Sequence, residues 1–489
     1  MPRRTLAPAL LLLGSLALTA ACSTGSSSPA DSAPSPDSLS RTRGNDAATQ
    51  VDLTKLKGVN IVSDSSTDPS CPWATSYPDV PGADKMTAAM KKDVEGRLAV
   101  FLGTDIGGPP SCGGSAGADG SEGPELNVSF SFLVASGDVL GVRLATVDRT
   151  SNADGVDTRA YWYDGAAQKY RPSPGLIADD SQDAFVAALE ERLLKREGVT
   201  SDTVDMALGD QEYRDSYLDD MAFTADGDLK VDFDRGTVGL PPAGRISVTL
   251  PKATVTPWLS GFGHRAQHQT TDPDDKLDLG AAHTPTPTVV AQPDPGEDTT
   301  DCSKVKCIAL TFDDGPAAPE TGTLLKYLAP YKARATFFVV GQNVATHPDI
   351  VRAEMKSGHE IANHSWNHPV LTNLTPAQIR SQLQRTDAAI KAATGKEPTL
   401  FRPPYGAIDD TVKAATSLSP VLWDMDTLDW KFHDPAKVAQ TVISQAKPND
   451  VVLIHDIHPT SVAAVPEILR TLTAHGYHFV TVSHLRATL

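Results

Sequence analysis

The C-terminal part of the chain, residues 301–489, alternates short apolar runs with segments of helical periodicity. Alternating units of this kind build a parallel sheet or a barrel, and so predict an α/β domain. Seven strands in so short a stretch favour a small, incomplete barrel over a full eightfold one. The predicted strands are 305–312, 335–340, 360–362, 400–402, 421–425, 451–455 and 479–482.

Two adjacent carboxylates, Asp313 and Asp314, follow the first of these strands within the stretch Thr-Phe-Asp-Asp-Gly-Pro (311–316). The Gly-Pro pair ends the strand, and ligands of α/β proteins bind where such strands end. The turn lets both carboxylates serve one site. Taken alone, the pair is equally compatible with a shared site and with a structural alternative, in which one carboxylate is a helix N-cap and the other a solvated loop acid.

A second motif is the His-x-x-x-His of His364 and His368. On a helical turn this spacing points two imidazoles the same way, so that they can share a metal. Alone, the motif is a weak signal, and a surface histidine pair is the favoured interpretation. Together with Asp314 it supplies three ligands and an open position, which is typical of a catalytic metal site.

Three more motifs follow at predicted strand ends: Arg-Pro-Pro-Tyr-Gly (402–406), Asp-Thr-Leu-Asp-Trp (426–430) and Leu-Ile-His-Asp (453–456). With the first two, they closely resemble the five motifs of the polysaccharide deacetylase family, also called the NodB homology or carbohydrate esterase 4 family. All five occur in order. The resemblance implies a distorted (β/α) barrel, in agreement with the strand and helix pattern.

The resemblance also implies a role for each motif residue. The ligands of a divalent metal would be Asp314, His364 and His368, with zinc favoured over cobalt, nickel or manganese. The remaining implied roles are Asp313 as general base, Arg402 as the cation that orients it, the backbone N–H of Tyr405 as oxyanion donor, His455 as general acid, Asp426 as the carboxylate that orients His455, Ser365 as a brace of the histidine loop, and Pro403, Trp430 and Leu453 as substrate-binding residues.

Amide hydrolysis needs these residue types. An amide is a poor electrophile with a poor leaving group, so it needs a polarised carbonyl, a base for water and an acid for the departing amine. The sequence leaves Asp429 open as an alternative partner of His455. A glycosidase pair formed by Asp313 and Asp314 is disfavoured, because such carboxylates flank a bond from positions about 5 Å or more apart.

The N-terminus predicts export. Residues 1–22 combine Arg3 and Arg4 with an apolar stretch and small residues before Cys22. The site resembles a bacterial lipobox, which would place a lipid on Cys22 and anchor the protein to the membrane. Thr19 stands where that motif usually has Leu, so cleavage and secretion stay open. Residues 23–50, rich in Ser, Pro, Asp and Ala, predict a disordered tether.

Four further cysteines suit an oxidising compartment. Three connectivities are possible, of which the local one pairs Cys71 with Cys112 and Cys302 with Cys307. Their spacing does not fit a zinc finger. The formal net charge of −18 argues against a nucleic-acid partner, which needs clustered cations.

Residues 51–261 predict a smaller α+β accessory domain, and residues 262–300 a Pro/Thr/Asp-rich linker. Residues 202–251 carry an F-x-x-D-G hairpin followed by P-x-A-G-x-x-x-V-x-L-P. This portion is similar to the extracytoplasmic domain of anti-sigma factors that sense lysozyme. The resemblance implies recognition of wall polymer or of a protein such as lysozyme; a structural spacer is equally compatible. The predicted elements are helices at 86–102 and 181–195, strands at 128–134 and 139–147, and a hairpin at 221–233.

Two functional hypotheses follow. The first is a metal-dependent deacetylase acting on an N-acetylated glycan polymer, foremost peptidoglycan N-acetylglucosamine, with chitin oligomers and acetylated xylan as alternatives. The second is a binding or sensing protein in which the accessory domain captures wall glycan or lysozyme and the barrel is catalytically idle.

Overall fold

The computed structural model describes residues 51, 56, 58–105, 124–149, 155–280 and 289–489. The predicted export signal (1–22), the tether (23–50) and Cys112 lie outside these residues. Among the helices in the described ranges, none combines the length and the hydropathy needed to cross a bilayer. The described residues belong to one compact unit.

The accessory domain contains two sheets. One is six-stranded, with its strands in chain order, and the other has three antiparallel strands. The strands are β1 (Asn60–Ser65), β2 (Trp73–Asp79), β3 (Leu126–Ser136), β4 (Val139–Asp148), β5 (Gly155–Asp164) and β6 (Lys169–Pro172), then β7 (Asp220–Phe223), β8 (Leu229–Phe233) and β9 (Ile246–Leu250). The helices are α1 (Asp84–Phe101), α2 (Gln182–Leu193), α3 (Ser201–Val204), α4 (Gln211–Tyr217), α5 (Lys252–Val255) and α6 (Gly261–Thr271).

These elements confirm the α+β prediction for the accessory domain. The Asp-Gly hairpin forms between β7 and β8, with Gly227 at φ 85° in the turn. The predicted linker start at residue 262 is wrong, because α6 occupies the first part of that segment. Ser260 caps this helix by accepting a hydrogen bond from the backbone N–H of Gly263, and Phe262 and Ala266 are buried in the accessory core.

The C-terminal domain is a curled parallel sheet surrounded by helices. Its strands are β10 (Lys306–Asp313), β11 (Ala335–Val339), β12 (Glu360–Asn363), β13 (Leu400–Phe401), β14 (Ser419–Pro420), β15 (Met425–Asp426), β16 (Val451–His455) and β17 (Tyr477–Phe479). The helices are α7 (Glu320–Leu328), α8 (Gly341–Thr346), α9 (Pro348–Lys356), α10 (Pro376–Thr394), α11 (Asp410–Ala414), α12 (Asp429–Phe432), α13 (Pro435–Gln445), α14 (Pro459–Ala474) and α15 (Val482–Thr488).

The strand order is β14-β13-β12-β11-β10-β16-β15, and β17 also pairs with β10. In this order β14 and β15 are the two end strands and are not paired with each other, so the sheet does not close. The predicted incomplete barrel is confirmed. The central strand β10 is buried along nearly its whole length, which explains its continuous apolar sequence. Helix α10 begins at Thr375 with a capping box to Gln378 and ends at Gly395, as its sequence predicts.

Three expectations about this domain are refined. The predicted strand 421–425 is reduced to the short β15, which starts only at Met425. The last predicted strand ends early, because Thr481 caps helix α15. Residues 289–300 do not behave as a free linker: Val289 and Ala291 pack against the core of the C-terminal domain. The predicted bridge between Cys302 and Cys307 is confirmed.

Candidate active site

The site lies where β10, β12, β13 and β16 end at one edge of the sheet. In the pairing of β10 with β16, Asp313 lies directly opposite His455. In the pairing of β12 with β13, Asn363 lies opposite Phe401, so that His364 and Arg402 leave their strands side by side. Parallel strands carry their carboxyl ends to a common edge, and this is why distant motifs converge.

Asp314, His364 and His368 form the cluster that could hold a metal. One potential ligand atom from each lies within 4.8 Å of the others. The Nε2 atoms of His364 and His368 lie 3.4 and 3.3 Å from Oδ1 of Asp314. All three side chains are buried. The sequence-predicted ligand set is therefore brought together.

The surroundings of this cluster fit a divalent cation. Nδ1 of His364 lies 2.7 Å from the carbonyl oxygen of Arg402, and Nδ1 of His368 lies 3.1 Å from the Tyr405 hydroxyl. These contacts leave both Nε2 atoms to face Asp314, whose buried Oδ1 has no hydrogen-bond donor. Burial lowers the pKa of His364 to about 3, so its imidazole is neutral, as a ligand must be.

The histidine loop does not have the predicted helical form. Residues 364–368 follow β12 as a tight loop, with Ser365 at φ 65° and His368 at φ 59°. The backbone N–H of Ser365 donates to Oδ1 of Asn363 at 2.7 Å, and that of His368 donates to the Ser365 hydroxyl at 3.1 Å. These bonds, rather than helical spacing, turn both imidazoles to one point. The bracing implied for Ser365 is present.

Asp313 and Arg402 form a buried ion pair, with Nη1 of Arg402 2.6 Å from Oδ1 of Asp313. The guanidinium also donates to the Thr311 hydroxyl at 2.8 Å and lies 4.1 Å from the ring centroid of Phe338. Burial raises the pKa of Asp313 to about 6, against the opposing effect of Arg402. Asp313 is therefore a carboxylate at neutral pH that still has appreciable basicity.

The partner of His455 is Asp429, not Asp426. Oδ1 of Asp429 lies 2.9 Å from Nδ1 of His455, and Oδ2 accepts the backbone N–H of His455 at 2.8 Å. Asp426 instead accepts the backbone N–H of Leu428 at 2.8 Å, which closes a local turn just before helix α12. The orienting role predicted for Asp426 is thus wrong, and the alternative holds.

The ion pair with Asp429 sets the protonation of His455. Burial alone would lower the pKa of His455, but the carboxylate of Asp429 raises it to about 10. Conversely, burial opposes ionisation of Asp429, and His455 nonetheless lowers its pKa to about 2. His455 is therefore charged at neutral pH and has a proton to give.

The predicted substrate-binding residues occupy different environments. Leu453 shares the strand face of His455 and is fully buried, as is Pro403, whereas Trp430 is half-buried. Tyr405 is buried at φ 59°, with its hydroxyl turned to His368. A left-handed backbone at a bulky residue is unusual and marks a constrained site.

The family model for polysaccharide deacetylase matches residues 300–420. A peptidoglycan-N-acetylglucosamine deacetylase of Bacillus cereus is 40% identical over 188 residues, a match covering 37% of this chain and 88% of that protein. The chain belongs to the polysaccharide deacetylase family.

Larger members of the polysaccharide deacetylase family are also similar. The peptidoglycan-N-acetylmuramic acid deacetylase PdaC of Bacillus subtilis is 43% identical over 191 residues, covering 39% of this chain and 41% of PdaC. The peptidoglycan-N-acetylglucosamine deacetylase PgdA of Listeria monocytogenes is 40% identical over 180 residues, covering 37% of this chain and 39% of PgdA. The match thus spans about two fifths of each relative. A solved PdaC structure has 42% identity, covers 39% of this chain and 93% of that one, and has a TM-score of 0.38.

Sequence reasoning missed several residues around the deacetylase site. Asn343 donates to the carbonyl oxygen of Asp314 at 2.8 Å, and Asn363 holds the histidine loop. The position of Asn363 next to His364 was an available signal for the second. Ser65 of the accessory domain donates to Oδ2 of Asp314 at 2.5 Å. No motif around Ser65 indicates that contact.

Proposed function

We propose that this chain is a metal-dependent hydrolase that removes the acetyl group from N-acetylglucosamine in peptidoglycan. The observation that carries the proposal is the convergence of three units at one sheet edge. They are the ligand cluster around Asp314, the Asp313–Arg402 pair and the Asp429–His455 pair. A base and an acid beside a ligand cluster suit hydrolysis of an amide.

The ligand set supports zinc as the metal. Two imidazoles and one carboxylate are the donors of many catalytic zinc sites, which keep an open position. When bound there, the cation would polarise the substrate carbonyl and lower the pKa of water from 15.7 toward about 7. The hydrogen bonds from His364 to Arg402 and from His368 to Tyr405 fix the two rings for this task.

The protein side chains divide the proton transfers between them. Asp313, oriented by Arg402, accepts a proton from the attacking water. The backbone N–H of Tyr405 donates to the developing oxyanion, a contact worth roughly 3 kcal/mol in comparable sites. His455, kept charged by Asp429, gives its proton to the departing amine, because an amine does not leave as its anion.

The names of the relatives support the substrate class. PdaC is named for N-acetylmuramic acid in peptidoglycan, PgdA for N-acetylglucosamine. Other relatives are a bifunctional xylanase/deacetylase of Pseudobutyrivibrio xylanivorans and a chitin deacetylase of Cryptococcus neoformans. Chitin oligomers and acetylated xylan are therefore the alternatives to test. An exported enzyme, whether lipid-anchored through Cys22 or secreted, would meet a wall polymer directly.

The test is acetate release by the full chain on peptidoglycan, chitin oligomers and acetylxylan in parallel, with a chelator and then with added zinc. Products from peptidoglycan are analysed separately for glucosamine and muramic acid. We expect chelator-sensitive release with new glucosamine. Muramic acid as the deacetylated sugar, or release from another polymer alone, would replace the substrate and keep the reaction.

Two variants test the division of roles. Asp313→Asn and His455→Ala should each lose most of the activity while still binding one equivalent of zinc, measured by elemental analysis. Full activity in both variants would overturn the mechanism. Absence of acetate release from every polymer, together with a stable complex between the chain and lysozyme, would favour the sensing hypothesis instead.

A further inference from the structure

The deacetylase site is closed in this structure. Asp314 is 3% exposed, His364 2% and His455 1%. A polysaccharide deacetylase acts on sugars within a long chain, so its reacting groups must be open to a groove. The side chains that cover the site here belong to the accessory domain.

The covering element is the end of β1 and the turn after it, residues 63–67, which we call the cover segment. The hydroxyl of Ser65 donates to Oδ2 of Asp314 at 2.5 Å. The hydroxyl of Thr67 lies 3.4 Å from Oδ2 of Asp426, just before helix α12, which begins with Asp429, the partner of His455. Ser65, Ser66 and Thr67 are all buried. The cover segment therefore reaches from the ligand cluster to the neighbourhood of His455.

Strand β3 and the residue before it hold the accessory domain against the histidine loop. The carboxylate of Glu125 accepts the backbone N–H of Val370 at 2.9 Å and the amide of Asn373 at 2.8 Å. The amide of Asn127 donates to the carbonyl oxygens of Asn367 and His368 at 2.9 and 3.1 Å. These bonds satisfy backbone groups of the loop that carries a predicted metal ligand.

The contact is polar. Among the described residues, each cluster of buried apolar side chains belongs to one domain only, and none spans both. A polar contact between two domains that each have a complete core can open without unfolding either. Water can replace the hydrogen bonds of Glu125 and Asn127 when the domains separate.

We propose that the accessory domain is a removable cover of the deacetylase face, which the glycan polymer and the cover segment occupy in alternation. The inference rests on the proposed function, since it assigns the covered face to a polymer. In the docked form the polymer is excluded; in the released form the groove is open. Weakening the contact around Glu125 should therefore raise the open population.

The test uses the zinc-loaded full chain and two variants that act from opposite sides of the contact, Glu125→Ala and Asn373→Ala. Neither residue belongs to the proposed catalytic set. A matched control is Ser136→Ala, also on β3 and buried, whose hydroxyl bonds within the accessory domain, to Gln269 at 2.6 Å and to the carbonyl oxygen of Asp274 at 3.2 Å. Thermal melting checks that all three chains fold.

Three readouts are taken: hydrogen exchange of peptides containing residues 60–67, the rate of zinc loss to a chelator, and acetate release from N-acetylglucosamine oligomers at subsaturating concentration. We expect each of the two variants to speed exchange and zinc loss by about tenfold, and to raise acetate release. Ser136→Ala should leave all three unchanged.

Unchanged exchange and zinc loss in both variants would overturn the cover. So would faster zinc loss combined with lower acetate release, since the accessory domain would then be helping to bind substrate. If no chain releases acetate from any glycan, the proposed function fails. Exchange and zinc loss still decide whether the cover exists.

Discussion

The site has two sides that are built differently. The metal side is assembled from three strand ends, and four of its residues, Asp314, Ser365, His368 and Tyr405, have left-handed backbone. Such residues cost roughly 1 to 3 kcal/mol each and persist only where the surroundings hold them. The acid side consists of His455 at the end of β16 and Asp429 at the start of α12, joined by one ion pair.

Because of this difference, the two sides should respond differently to substitutions. On the metal side, backbone hydrogen bonds fix the positions of the ligand side chains. When one ligand is removed, no neighbouring side chain can move in to replace it. On the acid side, the carboxylate of Asp429 has the largest effect on the charge of His455, to which Asp314 and Asp313 add smaller effects. Substitutions on the metal side should therefore abolish zinc binding, whereas substitutions on the acid side should slow proton transfer and leave zinc binding unchanged.

The largest effect is expected for His364→Ala. The variant removes one of three ligands, so both zinc binding and activity should be lost, the latter by about 10³-fold or more. Zinc content by elemental analysis and acetate release measure the two. His475→Ala, at an exposed histidine beyond helix α14, is the control and should bind one zinc. A fully active, zinc-loaded His364→Ala would remove the metal side from the mechanism.

His455→Ala should separate the two sides most clearly. Loss of a general acid costs about 10²- to 10⁴-fold in rate, while the zinc content should stay at the wild-type level. Acetate release at saturating substrate measures the first quantity. Loss of zinc in this variant would show that the acid side also builds the metal site, and the comparison would fail.

Asp429→Asn should change the pH dependence of activity. The carboxylate stabilises charged His455, so its removal should lower the pKa of His455 well below about 10, because burial is then opposed by the weaker effects of Asp314 and Asp313. The alkaline limb of the rate profile should move to lower pH, with activity falling about tenfold per pH unit above the new pKa and recovering on acidification. A histidine titration by NMR gives the pKa directly.

Asp426→Asn is the matched control for this variant. Its carboxylate accepts from Leu428 and interacts with His455 only through its charge, without a hydrogen bond in the described structure, so the alkaline limb should move far less than in Asp429→Asn. A limb that moved with Asp426 and not with Asp429 would restore the assignment expected from the sequence.

The sequence predicted the metal side better than the acid side, for a physical reason. Strand ends and breakers placed Asp314 and the histidines at one edge, because parallel strands share an edge. The choice between Asp426 and Asp429 depends on a left-handed turn at Leu428, which a single sequence does not reveal. The contact of Ser65 with Asp314 joins residues 249 positions apart and depends on how two domains dock. No local pattern contains that information.

The smallest effect concerns the support of the histidine loop by helix α10. Oε1 of Gln382 accepts the backbone N–H groups of Trp366 and Asn367 at 2.8 and 3.2 Å, and its amide donates to Asn367 at 2.6 Å. Gln382→Ala leaves these groups unpaired and should weaken zinc affinity by about tenfold, at the low end for outer-shell partners of a metal. Competition with a zinc-binding dye measures it.

The alkaline limb that reports on His455 should not move in Gln382→Ala, because the variant touches only the metal side. The control is Thr375→Ala at the start of the same helix, which removes the capping box and should cost about 1 kcal/mol of stability. If that variant weakened zinc as much as Gln382→Ala, the loop would depend on the stability of α10 as a whole. Equal zinc affinity in Thr375→Ala and the wild type would instead assign the support to the hydrogen bonds of Gln382. The metal side would then include Gln382, which contacts the histidine loop and not the metal.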